Sequence, residues 1–429
     1  MISKDIIKKH NEAQFQESEK YNLKELIDLG NGLYGLGLVT LKVVRPKDGK
    51  PFILLKGICS INIQNLLRSY NLYKFYQYGV MMFVQKNGAI IKQVTESEIK
   101  DIIQPEIENI GKLEADINGV EEVFSPEAQK EKLYKGYNSV FNKNFYEFLP
   151  VLDARLYQDD AKTAYLHFEN GTLQVTASSA ILIPFNEADG KCIWEDQVIT
   201  RPINDKTDWV TMFQTFNKNV TNQDEKRLSA LESGIGYMLH NHHKKSGGQM
   251  LMLYDQEITD LDNPQGGTGK GLIVNGIMQL RRTVKIDGKK FTGKGTFEFQ
   301  EITASTQILW LDDAAKSLDV DRFNSISTDG FNVERKNKDS LIIPREQAPK
   351  IVIASNVILD CTGSTRKRRQ HPVELSNYYS SMITTGLEEP IVQEHGCEFY
   401  SEKWSEQEWN AFFWYMIGCI QLYLKDGLV

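Results

Sequence analysis

Apolar and polar positions change period several times along this chain, and each change predicts an element. Val39-Thr40-Leu41-Lys42-Val43-Val44, the turn-forming Pro46-Lys47-Asp48-Gly49-Lys50 and Phe52-Ile53-Leu54-Leu55 predict a hairpin. Met81-Met82-Phe83-Val84 and Ala89-Ile90-Ile91 flank Lys86-Asn87-Gly88, whose Asn-Gly pair favours a tight turn. Asn170-Gly171 between apolar runs predicts another. From 206 to 246 the period becomes helical, at Trp209, Met212, Phe213 and Phe216, then Leu228, Leu231, Ile235, Met238 and Leu239. Beyond 247, unbroken apolar runs alternate with helix-like text, which predicts an α/β region. Phe297-Glu298-Phe299-Gln300-Glu301-Ile302 alternates and predicts a strand. Residues 386–429 predict helix, with Trp404, Trp409, Phe412, Phe413 and Trp414 as packing residues.

At 429 residues the chain is too long for one ordinary domain. The boundaries read as an α+β accessory region at 1–110, a mixed α+β region at 111–205, a helical region at 206–246, an α/β core at 247–385 and a helical segment at 386–429. No stretch approaches the roughly 18 uncharged apolar residues that span a bilayer, and the N-terminus carries no signal-peptide core. Cys59, Cys192, Cys361, Cys397 and Cys419 are scattered, without a Cys-x-x-Cys pair, which predicts a reducing cytoplasm and neither disulfides nor zinc. The net charge of −7 argues against a protein that coats duplex DNA, but basic residues cluster locally. Arg281, Arg282, Lys285, Lys289, Lys290 and Lys294 form one group, Arg335, Lys336 and Lys338 a second, and Arg366 to Arg369 a third.

The chemistry concentrates between 250 and 370. Met250-Leu251-Met252-Leu253-Tyr254 precedes Gly266-Gly267-Thr268-Gly269-Lys270-Gly271, and Leu272-Ile273-Val274 follows. A glycine loop between strand and helix lets backbone N–H groups converge on a phosphate, while the lysine reaches the outer phosphates. Two positions depart from the usual P-loop pattern. Pro264 replaces the opening glycine, and Gly271 replaces the Ser or Thr whose hydroxyl binds Mg²⁺. Downstream, Ile308-Leu309-Trp310-Leu311 ends in Asp312-Asp313, the form of a Walker B element. Its first acid would hold Mg²⁺ and its second would activate water. Lys350-Ile351-Val352-Ile353-Ala354 ends in Ser355-Asn356, and Asn356 suits a sensor near a γ-phosphate. Arg366, Arg368 and Arg369 precede a further apolar run; Arg368 and Arg369 are the leading candidates for a finger on a neighbouring subunit's nucleotide.

This ordered set resembles a superfamily 3 helicase, and is most similar to the poxvirus-type primase-helicase branch of phages, plasmids and integrated elements. Leu166 to Leu173, Ile235 to His240, Asn263 to Gly271 and the stretch from Trp404 to Trp414 also resemble that branch. The resemblance covers roughly residues 150–429. It implies an AAA+-like P-loop ATPase core, a helical collar at 206–246 and a ring, as a hexamer, with ATP and Mg²⁺ as cofactors. Gly266, Gly267, Thr268, Gly269, Lys270, Gly271 and Leu272 would bind nucleotide, with Asp312 on the metal and Asp313, Asn356 and an arginine completing catalysis. Lys336 and Lys338 fall where the family carries a DNA-contacting hairpin, which implies single-stranded or forked DNA as partner. A separate primase is a further implied partner.

Other clusters read as structural. Asp153, Asp159 and Asp160 predict a solvated loop, because no primase-type arrangement of acids and histidine surrounds them. His240-Asn241-His242-His243 predicts a helix end. A ring ATPase that is not a helicase, such as an initiator or a defence-system NTPase, would share every nucleotide motif, and the departures at Pro264 and Gly271 leave open a scaffold with a degenerate P-loop.

Overall fold

The computed structural model describes residues 23–429 apart from 244–247, 258–266, 292–294, 317, 319, 321–322, 324–329, 337–339, 358, 360–367 and 384–388. The chain is mixed α/β, with several sheets, one of them parallel. It gathers into two units that divide between Ala154 and Arg155, with Tyr78–Val80 grouped in the second.

In the first unit, β1 (Ile27–Gly30), β2 (Leu33–Leu36), β3 (Val39–Val44) and β4 (Phe52–Ile58) form an antiparallel meander. The predicted hairpin is β3–β4, with Lys42 opposite Leu54. After α1 (Ser60–Ser69) come β5 (Leu72–Gln77), β6 (Val80–Asn87) and β7 (Ile90–Val94), and the Asn87-Gly88 turn joins β6 to β7 as expected. A capping box opens α2 (Glu96–Glu108): Thr95 Oγ1 accepts from the Glu98 N–H and the Glu98 carboxylate accepts from the Thr95 N–H. β8 (Leu113–Ile117) and β9 (Val120–Phe124) form a second hairpin. α3 (Pro126–Lys135), α4 (Tyr137–Val140) and α5 (Lys143–Tyr146) follow. Ile63, Leu67, Ile99, Ile103 and Leu133 form the buried centre of this unit's larger core.

The second unit opens with β10 (Arg155–Leu156). β11 (Ala164–Phe168), β12 (Gly171–Val175) and β13 (Ala180–Ile183) make an antiparallel meander, with the predicted turn at Asn170-Gly171. β14 (Lys191–Trp194) pairs in parallel with β10, and β15 (Val198–Ile199) with β11. α6 (Met212–Val220) and α7 (Glu225–Leu239) take up the helical period from Met212 onward, whereas Trp209 precedes α6 outside any helix and is exposed. Asp224 caps α7, its carboxylate accepting from the Lys226 and Arg227 N–H groups.

The central sheet holds β16 (Met250–Asp255), β17 (Thr283–Asp287), β18 (Ile308–Asp312), β21 (Lys350–Ala354) and β22 (Gln370–Leu375), with α8 (Lys270–Met278) after β16. These strands are parallel, in the order β17-β18-β21-β16-β22. Between β18 and β21 the chain makes a small hairpin, β19 (Phe331–Val333) and β20 (Leu341–Ile343). α9 (Pro390–His395) and α10 (Glu406–Asp426) complete the unit. Every residue of β16 is buried, because the sheet is covered on both faces. Leu251 and Leu253 join Trp310, Val352 and Val373 in a core with α6, α7, α8 and α10. Met250, Met252 and Tyr254 join Leu309, Leu311, Ile351 and Ile353 in the core on the other face.

Three expectations are corrected here. Phe297 to Ile302 is a series of turns, and no strand is formed. Phe297 is left exposed, while Phe299 and Ile302 pack into the second core, where Phe299 meets Phe331 edge-on at 4.9 Å. Asp159 does not lie in a solvated loop: its carboxylate is buried and accepts from Arg281 Nη2 at 3.0 Å, from the Tyr165 N–H and from the Asn241 N–H. The basic group around 281–290 is not an open patch. Arg281 is buried on Asp159, Arg282 meets Asp196 at 3.3 Å, and Lys285, Lys289 and Lys290 each meet a carboxylate. Asp287, the partner of Lys290, lies in the same segment, but Asp159, Asp196, Asp312 and Asp313 come from other strands and loops, which sequence proximity does not reveal.

The helix end at His240 is as expected, but a lysine completes it. Lys350 Nζ, buried at the start of β21, donates to the carbonyls of Tyr237 and His240 and lies 3.7 Å from the Tyr237 ring centroid. A cation there opposes the partial negative charge of the helix C-terminus. The tryptophan-rich stretch packs as predicted, with Trp404 before α10 and Trp409, Phe412 and Phe413 on it all buried. Among the described residues, no helix is long and apolar enough to cross a membrane.

Candidate functional site

Three parallel strands end at one edge of the central sheet, and their C-terminal residues line a common cavity of about 460 Å³. β16 leads to the glycine loop, β18 to Asp312 and Asp313, and β21 to Asn356. Because β21 lies between β16 and β18, Asn356 falls between the loop and the two acids. The cavity brings together Gly267, Thr268, Gly269, Lys270, Gly271, Leu272, Asp312, Asp313 and Asn356 from the sequence-derived set. Gly266 and Lys338, like Arg366, lie outside the described residues.

Gly269 stands at the N-cap of α8 with φ of +100°, and Gly267 has φ of +102°. Both values lie in the region that favours glycine. They turn the chain sharply from the sheet edge into the helix, leaving the first N–H groups of α8 at the cavity. Lys270 is buried, and its Nζ donates to the Asp255 carboxylate at the end of β16. Thr268 Oγ1 donates to the same Asp255 oxygen, and Lys270 Nζ lies 3.2 Å from that hydroxyl. Burial pushes the Lys270 ammonium below its ordinary pKa, and Asp255 opposes the shift.

The acid pair is held by a stitch between two loops. Asp313 takes φ of +55°, a left-handed turn that aspartate tolerates better than most residues. Asn356 Nδ2 donates to Asp313 Oδ1 at 3.0 Å, and Ser355 Oγ donates to the Ala314 carbonyl at 2.9 Å. The Ala314 N–H donates to the Ala354 carbonyl at 2.9 Å. Each acid also carries a lysine: Lys285 Nζ meets Asp312 Oδ2 at 2.7 Å, and Lys289 Nζ meets Asp313 Oδ2 at 2.5 Å.

The sequence does not point to Asp255, and it places Lys285 and Lys289 in a basic group rather than at this site. A carboxylate closing the apolar run of β16 was the available signal for Asp255. The lysines became visible only once β17 was seen beside β18. The far wall of the cavity, formed by Tyr379, Ile383, Glu389, Pro390 and Ile391, carries no motif. Tyr379 is fixed there, stacked on Phe216 at 5.2 Å and bonded through its hydroxyl to His395 Nε2 at 2.7 Å.

Two oxygen donors on adjacent residues, Asp312 and Asp313, suit a hard divalent cation that draws its remaining ligands from phosphate and water. Gly271 offers no hydroxyl, although a Cβ at that position would meet nothing within 4 Å. Arg368 and Arg369 do not enter this cavity. They precede β22, whose first residue pairs with Met250, so they sit at the opposite edge of the sheet. Six residues of strand separate the edges, about 20 Å at the usual rise. Lys336 is exposed in the loop between β19 and β20.

No family model and no curated protein matches the chain. Among solved structures it is similar to the C-terminal region of NrS-1. An A form apo structure of that region gives a TM-score of 0.43 at 12% identity, covering 84% of this chain and 68% of that one. A further apo structure gives 0.41 at 13%, covering 86% and 69%. Likenesses of this strength assign neither family nor activity.

Proposed function

We propose that this chain is an ATP-driven DNA helicase that works as a ring, with the cavity at the sheet edge as its nucleotide site. The observation that carries the reading is the convergence of Lys270, Asp312, Asp313 and Asn356 from three strand ends on one cavity at a helix N-terminus. Lys270 exchanges Asp255 for the β- and γ-phosphates, and the N–H groups of residues 267–269 and the first turn of α8 bind phosphate oxygens. Asp312 would hold Mg²⁺, which when bound offsets phosphate charge. Asp313, oriented by Asn356, accepts a proton from the attacking water.

Arg368 or Arg369, at the opposite sheet edge, serves the neighbouring subunit's site. A head-to-tail interface of that kind closes as a ring, and a hexamer is the expected size. Lys336, with Lys338, grips the backbone of single-stranded DNA from the β19–β20 loop, a contact that tolerates any sequence and weakens with salt.

The test is ATP hydrolysis and forked-duplex unwinding by wild type and Lys270→Ala, with and without single-stranded DNA. DNA-stimulated hydrolysis that falls by about a hundredfold in the variant is expected, the scale of losing one charge-assisted transition-state contact of roughly 3 kcal/mol. Hydrolysis without strand separation would reduce the reading to a ring ATPase. No ATP binding by wild type would leave a scaffold with a degenerate loop.

A further inference from the structure

Three of the carboxylates at this site, those at the ends of β16 and β18, each have a lysine. Asp255 holds Lys270, Asp312 holds Lys285 at 2.7 Å and Asp313 holds Lys289 at 2.5 Å. The formal charges of these six side chains cancel. A bare divalent cation approaching Asp312 therefore meets one ammonium group already on that carboxylate and a second on the adjacent Asp313. A divalent cation carried on a nucleoside triphosphate arrives with net negative charge, and the same ammonium groups then attract it.

Two features present the lysines. Lys285 alternates outward on β17 beside β18, and its ammonium lies 4.1 Å from the Trp310 ring centroid. Lys289 follows the strand in a turn pinned by Asp287, whose carboxylate accepts from the Lys289 N–H at 3.1 Å and pairs with Lys290. Lys285 is 49% and Lys289 67% exposed, so their ion pairs are weak enough to be exchanged rather than locked.

We infer that Lys285 and Lys289 are positioning residues that make metal entry conditional on nucleotide: they repel the free divalent cation from Asp312 and release the two acids only when phosphates arrive to receive the lysines. This inference rests on the nucleotide reading of the site and adds an order of events to it.

The test uses the full chain and the double variant Lys285→Met/Lys289→Met, in which an unbranched apolar side chain at position 285 keeps the packing on Trp310. Mn²⁺ binding without nucleotide is measured by electron paramagnetic resonance, and binding of a fluorescent ATP analogue with Mg²⁺ is measured separately. Removing two like charges beside a divalent site is expected to tighten nucleotide-free Mn²⁺ binding by about tenfold and to weaken the analogue with Mg²⁺. Adding Asp312→Asn to the double variant removes the Mn²⁺ gain. Lys289→Ala alone, at the more exposed lysine, gives the same two opposite signs at smaller size and serves if the double variant does not fold. Unchanged Mn²⁺ binding, or a fall in both affinities as a merely structural role predicts, overturns the inference. Wild type that binds no ATP analogue refutes the nucleotide reading instead, and the Mn²⁺ arm, which contains no nucleotide, keeps the two failures apart.

Discussion

Gly269 and Gly271 stand two residues apart in the same loop, yet the structure gives alanine opposite consequences at the two positions. At Gly269 the backbone is left-handed, with φ of +100°, and an added Cβ would lie 2.5 Å from Phe216 Cζ. Phe216 cannot retreat easily: it is fully buried, stacked on Tyr379 at 5.2 Å and packed edge-on against Phe399 at 5.6 Å. Left-handed strain costs about 1–2 kcal/mol, and overpacking a filled core about 1–3 kcal/mol more. Gly269→Ala is therefore expected to destabilise by about 2–5 kcal/mol. At Gly271 the backbone is helical and a Cβ would meet nothing within 4 Å. Gly271→Ala is expected to be neutral or to stabilise by up to about 1 kcal/mol through helix propensity. For a unit of this size each kcal/mol moves the melting temperature by about 2–4 °C. Thermal unfolding of the two variants beside wild type reads the contrast directly. Equal shifts of the same sign would refute the reasoning, because they would show that neither φ nor Phe216 decides which glycine the loop requires.

Further consequences follow from buried polar groups and the exposed hairpin loop. Glu408 on α10 is buried and accepts from Thr211 Oγ1 at 2.6 Å, the Met212 N–H at 2.7 Å and Trp209 Nε1 at 2.9 Å. Glu408→Ala should cost about 2–4 kcal/mol by stranding those donors, measured by urea unfolding, and a loss below about 0.5 kcal/mol would contradict the role given to the carboxylate. Burial depresses His167, His240 and His243 to about 3. The unfolded chain then binds more protons between about pH 6.5 and 3, so the stability from these neutral histidines is complete above pH 6.5 and is lost as pH falls through that window. Each contributes a slope of up to about 1.4 kcal/mol per pH unit; unfolding at pH 7 and 5.5 should show a shallower slope for His167→Gln, and an identical slope would count against its burial as a neutral ring. Lys336→Ala should reduce DNA stimulation of ATP hydrolysis and leave basal hydrolysis unchanged, and equal stimulation would remove Lys336 from the DNA contact.

Much of the local structure was legible in the sequence because it depends on short-range rules. Period-two runs with Asn-Gly turns became β6–β7 and β11–β12, the helical period became α6 and α7, and apolar runs bounded by glycine or acids became the parallel strands. The glycine loop, Asp312, Asp313 and Asn356 were legible for the same reason: each closes a strand, and strand ends of a parallel sheet fall at one edge. Where local pattern misled, tertiary packing had overridden it. Phe297 and Phe299 alternate as in a strand, but Phe297 is exposed and Phe299, with Ile302, is buried from turns in an aromatic cluster. The charges were the least legible. Arg281 and Asp159 read as parts of exposed clusters and are buried on each other. Lys285 and Lys289 read as a basic patch and lie on the two acids of the candidate site. Arg368 and Arg369 follow β21 in sequence but sit at the opposite edge of the sheet from the cavity. The sequence alone determined which segments become strands and helices and which residues stand at their ends, since backbone propensity and burial period act over a few residues. Only the tertiary structure decided which charge meets which, because that depends on the order of strands in the sheet, and strand order is set by packing between segments far apart in the chain.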